Sequence, residues 1–433
     1  MTSAKHGHGA GRASRRAPLV PVTVLAALTL AAAAACSSSS SSTTTTGATN
    51  SASSSSPAGS APPAGLSAYF PGKQATGTPV KVGLINNEGS SPTAEPSLGD
   101  AAVAAADYAN AELGGIGGHP IKVYRCSEDE DTASATSCAN EMVQDNVAVV
   151  VIGATGYGQT MVPIITKAGI PYVSVTGSAA AELTTPGTFM WSGGYEATLH
   201  GFAQYAAQHG YKKVVAYVIN VPAALAGAAQ IGDPLFKAAG VSLSIEGVPA
   251  DVPDATSQVT AGLTGNPDAA LVIADEGTCT SVLKALNVVN PTVPKMVITS
   301  CLTTSAVQAL GSAMNGVKVF GASAPQANDP EAELYRYVMA KYAPSANATG
   351  YSVTGYQSML GLVRATTSLT GTPTPTSIEA AIKAAKDVPL PAGAGLSFSC
   401  DGKALPSLPS VCSIGEVVVT VENGVGTDPQ VIQ

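Results

Sequence analysis

Positive charge is scarce in this chain: 21 Lys and Arg stand against 29 Asp and Glu, a formal net charge of −8. A surface of that sign repels nucleic acid and anionic membranes, which removes both as partners. Aromatic residues make up only 5% of the sequence, with a single tryptophan, so platforms for stacking bases are missing as well. Histidine is equally short, with five residues at His6, His8, His119, His200 and His209. No Cys/His spacing matches a zinc motif, and neither a Gly-x-Ser-x-Gly elbow nor His-Glu-x-x-His is present. The expectation is a protein with no catalytic residues, no metal and no cofactor. Beyond the N-terminus, no stretch is long and apolar enough to span a bilayer.

What is present begins with Lys5, Arg12, Arg15 and Arg16, followed by an apolar run over 19–35 that stops at Cys36. A basic start, an apolar run and small residues before the break form a secretory signal. The cysteine directly after Ala33-Ala34-Ala35 resembles a bacterial lipoprotein signal, in which the thiol is acylated and becomes the new N-terminus. An ordinary cleaved signal and a retained anchor helix are the alternatives, though the run is short for a span. The reading is a signal peptide over 1–35 and export to the outer face of the cytoplasmic membrane, held there by a lipid on Cys36 alone.

Removing 1–35 leaves 398 residues and 17 basic groups against 29 acidic ones, a charge of −12. Residues 36–77 are largely Ser, Thr, Ala, Gly and Pro, a composition that buries too little apolar surface to offset ordering entropy. They read as a disordered linker, and a coil of ~40 residues has a reach of roughly 35 Å. The six remaining cysteines fall into three near couples, Cys126 with Cys138, Cys279 with Cys301 and Cys400 with Cys412. Three disulfides fit an exported protein; buried free thiols are the alternative for the middle couple.

From residue 79 onward, short β-branched runs alternate with longer Ala-rich segments of helical period, the pattern of βαβ units and parallel sheets. Strands are expected at 80–85, 121–124, 148–152 and 172–175, with helices at 99–113, 133–146 and 159–168. A second series restarts near Tyr195, with strands at 214–219, 241–245, 269–274, 296–299 and 317–322. Helices from Glu331 and Tyr351, one near 377–385 and a strand at 416–421 close the chain. Two successive α/β series imply two similar lobes.

Val82-Gly83-Leu84-Ile85, Gly99-Asp100-Ala101-Ala102, Ala106-Asp107-Tyr108-Ala109-Asn110 and Gly114-Gly115-Ile116-Gly117-Gly118-His119-Pro120-Ile121 form an ordered set. It continues through Val151-Ile152-Gly153, Ala168-Gly169-Ile170-Pro171, Ala181-Glu182-Leu183-Thr184 and Gly355-Tyr356-Gln357 to a turn at 396–402. The succession resembles the type I periplasmic solute-binding proteins of the leucine/isoleucine/valine-binding group. That resemblance implies an α/β fold of two Rossmann-like lobes with parallel sheets flanked by helices, joined by a three-strand hinge. It places lobe 1 at 78–195 plus 325–413 and lobe 2 at 196–324 plus 414–433. It also implies capture of a small polar ligand (an amino acid or related amide or carboxylate) by hinge closure, and delivery to ABC permease subunits.

Physics places the site in the same region. In open parallel sheets, ligands sit beyond the C-terminal strand ends, where helix N-termini present free N–H groups. Asn87 faces that cleft at the end of the first strand. The loop over 153–160, with Gly153, Gly156 and Gly158, suits an anion, because its glycines admit a close backbone and a helix follows. A phosphate loop is the rival reading, but the lysine of a P-loop is missing. The resemblance puts the ligand's carboxylate near Tyr157 and Gln159 of this loop and near Ser178 and Ala179 of the next. An ordinary loop tyrosine is the other reading of Tyr157. In lobe 2 the resemblance expects a tyrosine and a glutamate around an ammonium group. Those positions fall on Asp275 or Glu276, and on Ser300 or Cys301. Asp275 and Glu276 are therefore candidate anchors for a cation, with helix capping as the alternative. Trp191 is expected to pack. A sensing or adhesion lipoprotein of the same fold is the alternative to a transport receptor.

Overall fold

The computed structural model describes residues 62–90 and 94–433. The expected signal peptide, Cys36 and the linker as far as residue 61 lie outside the described residues. Among the described residues, no helix is long and apolar enough to cross a membrane.

The linker expected to extend to 77 ends earlier. Ala64–Tyr69 form a 3-10 helix whose Leu66 is fully buried. Phe70 packs edge-on against Tyr108 and Tyr337 at ring separations of 5.4 and 5.1 Å. Tyr108 donates its hydroxyl to the Tyr69 carbonyl at 2.6 Å. Three large apolar side chains within a Ser- and Pro-rich stretch are enough to fasten it to the folded body, because each buried one contributes ~2 kcal/mol.

The first sheet takes β1 (Val80–Asn87), β2 (Ile121–Glu128), β3 (Val149–Ile152), β4 (Tyr172–Ser174) and β5 (Thr188–Met190) in the order β2-β1-β3-β4-β5, all parallel. β3 reads Val-Val-Val-Ile and is buried throughout, as a strand covered by helices on both faces must be. Its helices are α1 (Pro96–Glu112), α2 (Thr132–Gln144), α3 (Gly158–Lys167) and the short α4 (Ala180–Thr184).

α5 (Gly194–Gln208) leads into the second sheet, built on the parallel strands β6 (Lys213–Ile219), β7 (Ser242–Val248), β8 (Ala269–Ile273), β9 (Lys295–Ile298) and β10 (Lys318–Gly321). Between them lie α6 (Pro222–Gly227), a π turn at Ala228–Gly232, α7 (Asp233–Ala238), α8 (Thr256–Leu263), α9 (Glu276–Val289) and α10 (Thr304–Leu310). The chain then returns to the first body as α11 (Pro330–Tyr342), α12 (Ser352–Ala365) and α13 (Pro375–Ala384), followed by the two-residue pair β11 (Val388–Pro389) and β12 (Ser397–Phe398). It ends in the second sheet with β13 (Glu416–Glu422) and β14 (Val425–Ile432), both antiparallel, which departs from an all-parallel expectation. Asn423 and Gly424, with φ of 51° and 80°, make the two-residue turn of that hairpin.

α12 is buried on nearly every side and crosses α1 at backbone contact: a Cβ on Gly355 would lie 1.9 Å from the Leu98 carbonyl oxygen. Only glycine permits that approach.

Three crossings join the two sheets, at 190–194, 321–330 and 411–416. Met190 bridges Val411 in parallel, so the first and third crossings run side by side. Trp191 is fully buried, stacks on Phe398 at 4.7 Å and donates its indole N–H to the Ser358 carbonyl at 3.2 Å, a packing role. Gln357 donates to the carbonyls of Ala322 and Pro391 at 2.9 and 2.8 Å, pinning the second crossing. Disulfides join Cys126–Cys138, Cys279–Cys301 and Cys400–Cys412 at Cα separations of 5.6, 5.5 and 4.4 Å.

Candidate functional site

The parallel strands of each sheet end in a rim of loops and helix N-termini. On the first rim, Asn86 ties two loops together. Its amide donates to Glu88 Oε1 and to the Glu95 carbonyl, both at 2.9 Å, and its Oδ1 accepts from the Ala154 N–H at 2.9 Å. Asn87, 4% exposed, donates its backbone N–H to the Ala154 carbonyl at 3.0 Å and accepts from the Glu95 N–H at 2.8 Å. The 153–160 loop, the end of β1 and the start of α1 are thereby fixed together.

Two carboxylates fill the first rim's backbone donors. Glu130, which itself adopts φ 56°, accepts from the Gly156 N–H at 3.0 and 3.2 Å. Glu182, 2% exposed, accepts from the N–H groups of Ser178 and Ala179 at 2.9 and 3.0 Å and from the Tyr172 hydroxyl at 2.6 Å. Its carboxyl also covers the first turn of α3: a Cβ on Gly158 would lie 2.1 Å from Glu182 Cδ. Burial and the neighbouring Glu182 hold the Tyr172 phenol well above its usual pKa. Behind them, Glu128 is fully buried and accepts from Thr155 Oγ1 at 3.3 Å and the Asp131 N–H at 3.2 Å. Burial raises its pKa, Glu130 adds to the rise, and those hydrogen bonds oppose it.

The other expected residues of this rim sit close by. Gln159 is exposed and accepts from the Ala181 N–H at 3.2 Å. Tyr157 is half-buried against the apolar core under α2 and α3, and its N–H donates to Thr155 Oγ1 at 3.0 Å. Ser178 and Ala179 follow β4, with their N–H groups already taken by Glu182.

On the second rim, Asp275 caps α9, accepting from the Thr278 N–H at 2.8 Å. That is the helix-capping alternative of the sequence reading. Glu276 follows it half-exposed. Ser300 donates its hydroxyl to the Ala274 carbonyl at 2.7 Å, and Cys279–Cys301 staples the same two strand ends. The rims meet at Tyr351, the residue before α12, whose phenol reaches the hydroxyls of Ser300 and Thr299 near Glu95. Although 47% of the residue is exposed, desolvation raises the phenol's pKa, and the two hydroxyl contacts oppose the rise. Two shallow grooves of about 400 and 440 Å3 flank the Asp401 turn and hold none of the eight expected ligand residues.

Sequence reasoning passed over Asn86, Glu128, Glu130, Glu182 and Tyr351. Glu182 carried a readable signal, because a glutamate three residues past a helix start reaches back to the open N–H groups there. Glu130 and Tyr351 act through tertiary approach and leave no local mark.

The model of the periplasmic binding protein family matches residues 79–409. Among solved structures, a Rhodospirillum rubrum protein assigned as a branched-chain amino acid ABC transporter shares 18% identity at a TM-score of 0.68, covering 82% of this chain and 99% of its own. The isoleucine complex of the Streptococcus pneumoniae substrate-binding protein LivJ gives 19% and 0.62, with coverages of 82% and 99%. The solute-binding protein of an ABC transporter from R. palustris, in complex with 4-hydroxybenzoate, gives 18% and 0.64, with coverages of 82% and 97%. No curated protein matches the sequence. The family match takes in the whole first sheet, the five parallel strands of the second and the first two of the three crossings, and the chain belongs to the periplasmic binding protein family.

Proposed function

We propose that this chain is the extracytoplasmic receptor of an ABC importer, closing two lobes around one small polar solute and handing it to permease subunits without changing it. The observation that carries the reading is the family match over 79–409 laid on two rims that three crossings hinge together. Hinge closure around a ligand is the recognised motion of such proteins. The isoleucine and 4-hydroxybenzoate held by two structural neighbours indicate a guest of that size. The lobes divide as 78–195 with 325–413 and 196–324 with 414–433, and the strap before residue 78 rides on the first. Asn87, Tyr157, Gln159 and Ser178 line one side, and Glu276 and Ser300 the other.

A lipid on Cys36 would hold the receptor at the outer membrane face. Replacing Cys36 with Ser is expected to release the protein from membranes, and continued tight attachment would refute lipidation. The receptor reading is tested by a thermal-shift screen of small polar metabolites on the purified chain. A true ligand at 100 times its Kd adds ~2.7 kcal/mol. A chain that turns one of those metabolites over instead of holding it is an enzyme, and the receptor reading fails.

A further inference from the structure

Two of the three crossings are fastened to each other at both ends. At the first sheet, Met190 donates its N–H to the Ser410 carbonyl and accepts from the Cys412 N–H, both at 2.8 Å. At the second sheet, side chains make the join. Thr198, early in α5, donates its hydroxyl to the Gly194 carbonyl at 3.0 Å, where the first crossing ends. The same oxygen lies 3.3 Å from Glu416 Oε2, where the third crossing ends. Glu416 is 1% exposed and runs under α5: a Cβ on Gly201 would lie 3.0 Å from both its Cβ and its Cγ, and 3.5 Å from Phe320. Phe320, Val418 and Ile432 belong to the apolar cluster there.

As a carboxylic acid, Glu416 gives its proton to Thr198 Oγ1 while the threonine gives its own to Gly194, so each donor has one acceptor. As a carboxylate, Glu416 competes with the Gly194 carbonyl for one hydroxyl proton, and a charge buried among apolar groups is costly. We propose that Glu416 is a proton-operated clasp on the hinge: neutral, it binds the third crossing to the first, and losing its proton frees them so that the lobes open. The inference goes beyond the receptor reading but rests on its hinge. Burial pushes this carboxyl up to about 8, and the Thr198 bond opposes the rise. No other titratable group intrudes on the chain. Glu196 and His200 stand two residues either side of Thr198, off its face. Tyr195 donates to the Ala224 carbonyl, and Tyr205 stacks on His209. On β10, Lys318 donates to Thr420 Oγ1, and Glu422 lies at the turn of the β13–β14 hairpin with Asp428 beyond it. Asp387, Asp401 and Lys403 line a groove with residues 412–415 that does not reach Glu416. Among the described residues, Glu416 has no ion-pair partner.

Trp191, the only tryptophan, sits on the first crossing, so its emission reports the hinge without any guest. The test titrates the full guest-free chain from about pH 6 to about pH 9, either side of that value. Trp191 emission, far-UV circular dichroism and small-angle scattering are followed together. Emission is expected to move to longer wavelength, and the radius of gyration to rise, with a midpoint at about 8, while helix signal holds. Glu416→Gln keeps a neutral donor and should abolish the transition. Thr198→Val removes the bond that favours the charged form and should move the midpoint to higher pH. A wild-type chain with flat emission, or a transition that persists in Glu416→Gln, overturns the inference and leaves the receptor reading to its own guest screen. A midpoint unmoved in Thr198→Val also overturns it, and decides the matter should the glutamine variant fail to fold. Helix signal lost along with the emission shift means global unfolding, and no clasp.

Discussion

The two rims solve the same problem in opposite ways. On the first, polar groups pair inside the protein: Asn86 binds two loops, and Glu130 and Glu182 take backbone N–H groups just ahead of α3 and α4. On the second, Asp275 caps its own helix, a covalent staple fixes the strand ends, and Glu276 remains half-exposed. The donors of the first rim are therefore largely satisfied from within the protein. Buried carboxyls show the same contrast. Glu128 has three hydrogen-bond donors around it, the hydroxyls of Thr155 and Ser134 and the Asp131 N–H, whereas Glu416, at the third crossing beside α5, has Thr198 Oγ1 at 3.3 Å and no charged neighbour shifting it.

That contrast can be broken most forcefully through pH. Burial pushes the Glu416 carboxyl up to about 8, against an unfolded value of 4.5. The folded state then keeps a proton that the unfolded state has released, so stability falls as pH rises from 4.5 to 8. The slope is at most about 1.4 kcal/mol per pH unit, with a total on the order of 4 kcal/mol across that window. Urea unfolding at pH 5 and pH 8 should show the loss, and Glu416→Gln should flatten it. A wild-type chain equally stable at both would mean that Glu416 is not buried neutral.

Next in size, Glu182→Ala leaves two backbone donors and the Tyr172 hydroxyl unpaired in the interior. It should cost about 3 kcal/mol by urea titration, whereas Glu276→Ala stays within about 0.5 kcal/mol. Equal costs would erase the distinction between a filled rim and an open one. Removing the staple with Cys279→Ser and Cys301→Ser should cost about 2–3 kcal/mol. Little or no cost would show that the second rim holds its shape without it. Smallest of all, Tyr351→Phe keeps the ring and loses contact with Ser300 and Thr299. Stability should drop by under about 1 kcal/mol, while the lobes separate more readily in scattering measurements. An unchanged profile would remove Tyr351 as a link between rims.

Much of this architecture was legible in the residues. β1 and β6 announce themselves as β-branched runs, and α3, at Gly158–Lys167, falls within a residue of the expected 159–168. The three cysteine couples were readable from their nearness in sequence. β14 was missed because Pro429 and Asp428 break its pattern, which an edge strand tolerates. Yet Asn423-Gly424 was a clear hairpin turn signal. The strap at 62–77 was hidden by composition, since Leu66, Tyr69 and Phe70 are diluted by small polar neighbours. The site was legible as a set of strand ends and illegible in its wiring. Which donor Glu130 occupies depends on loops brought together by the fold, with Glu130 and Gly156 26 residues apart, as does the Gln159–Ala181 contact across 22.

Small-angle scattering of the full chain, with and without a saturating guest from the screen, reaches the core of the matter most directly. Closure of the two halves should shrink the radius of gyration on binding. A saturated complex whose scattering profile overlays that of the free chain, extended form and all, would contradict a hinged clamp.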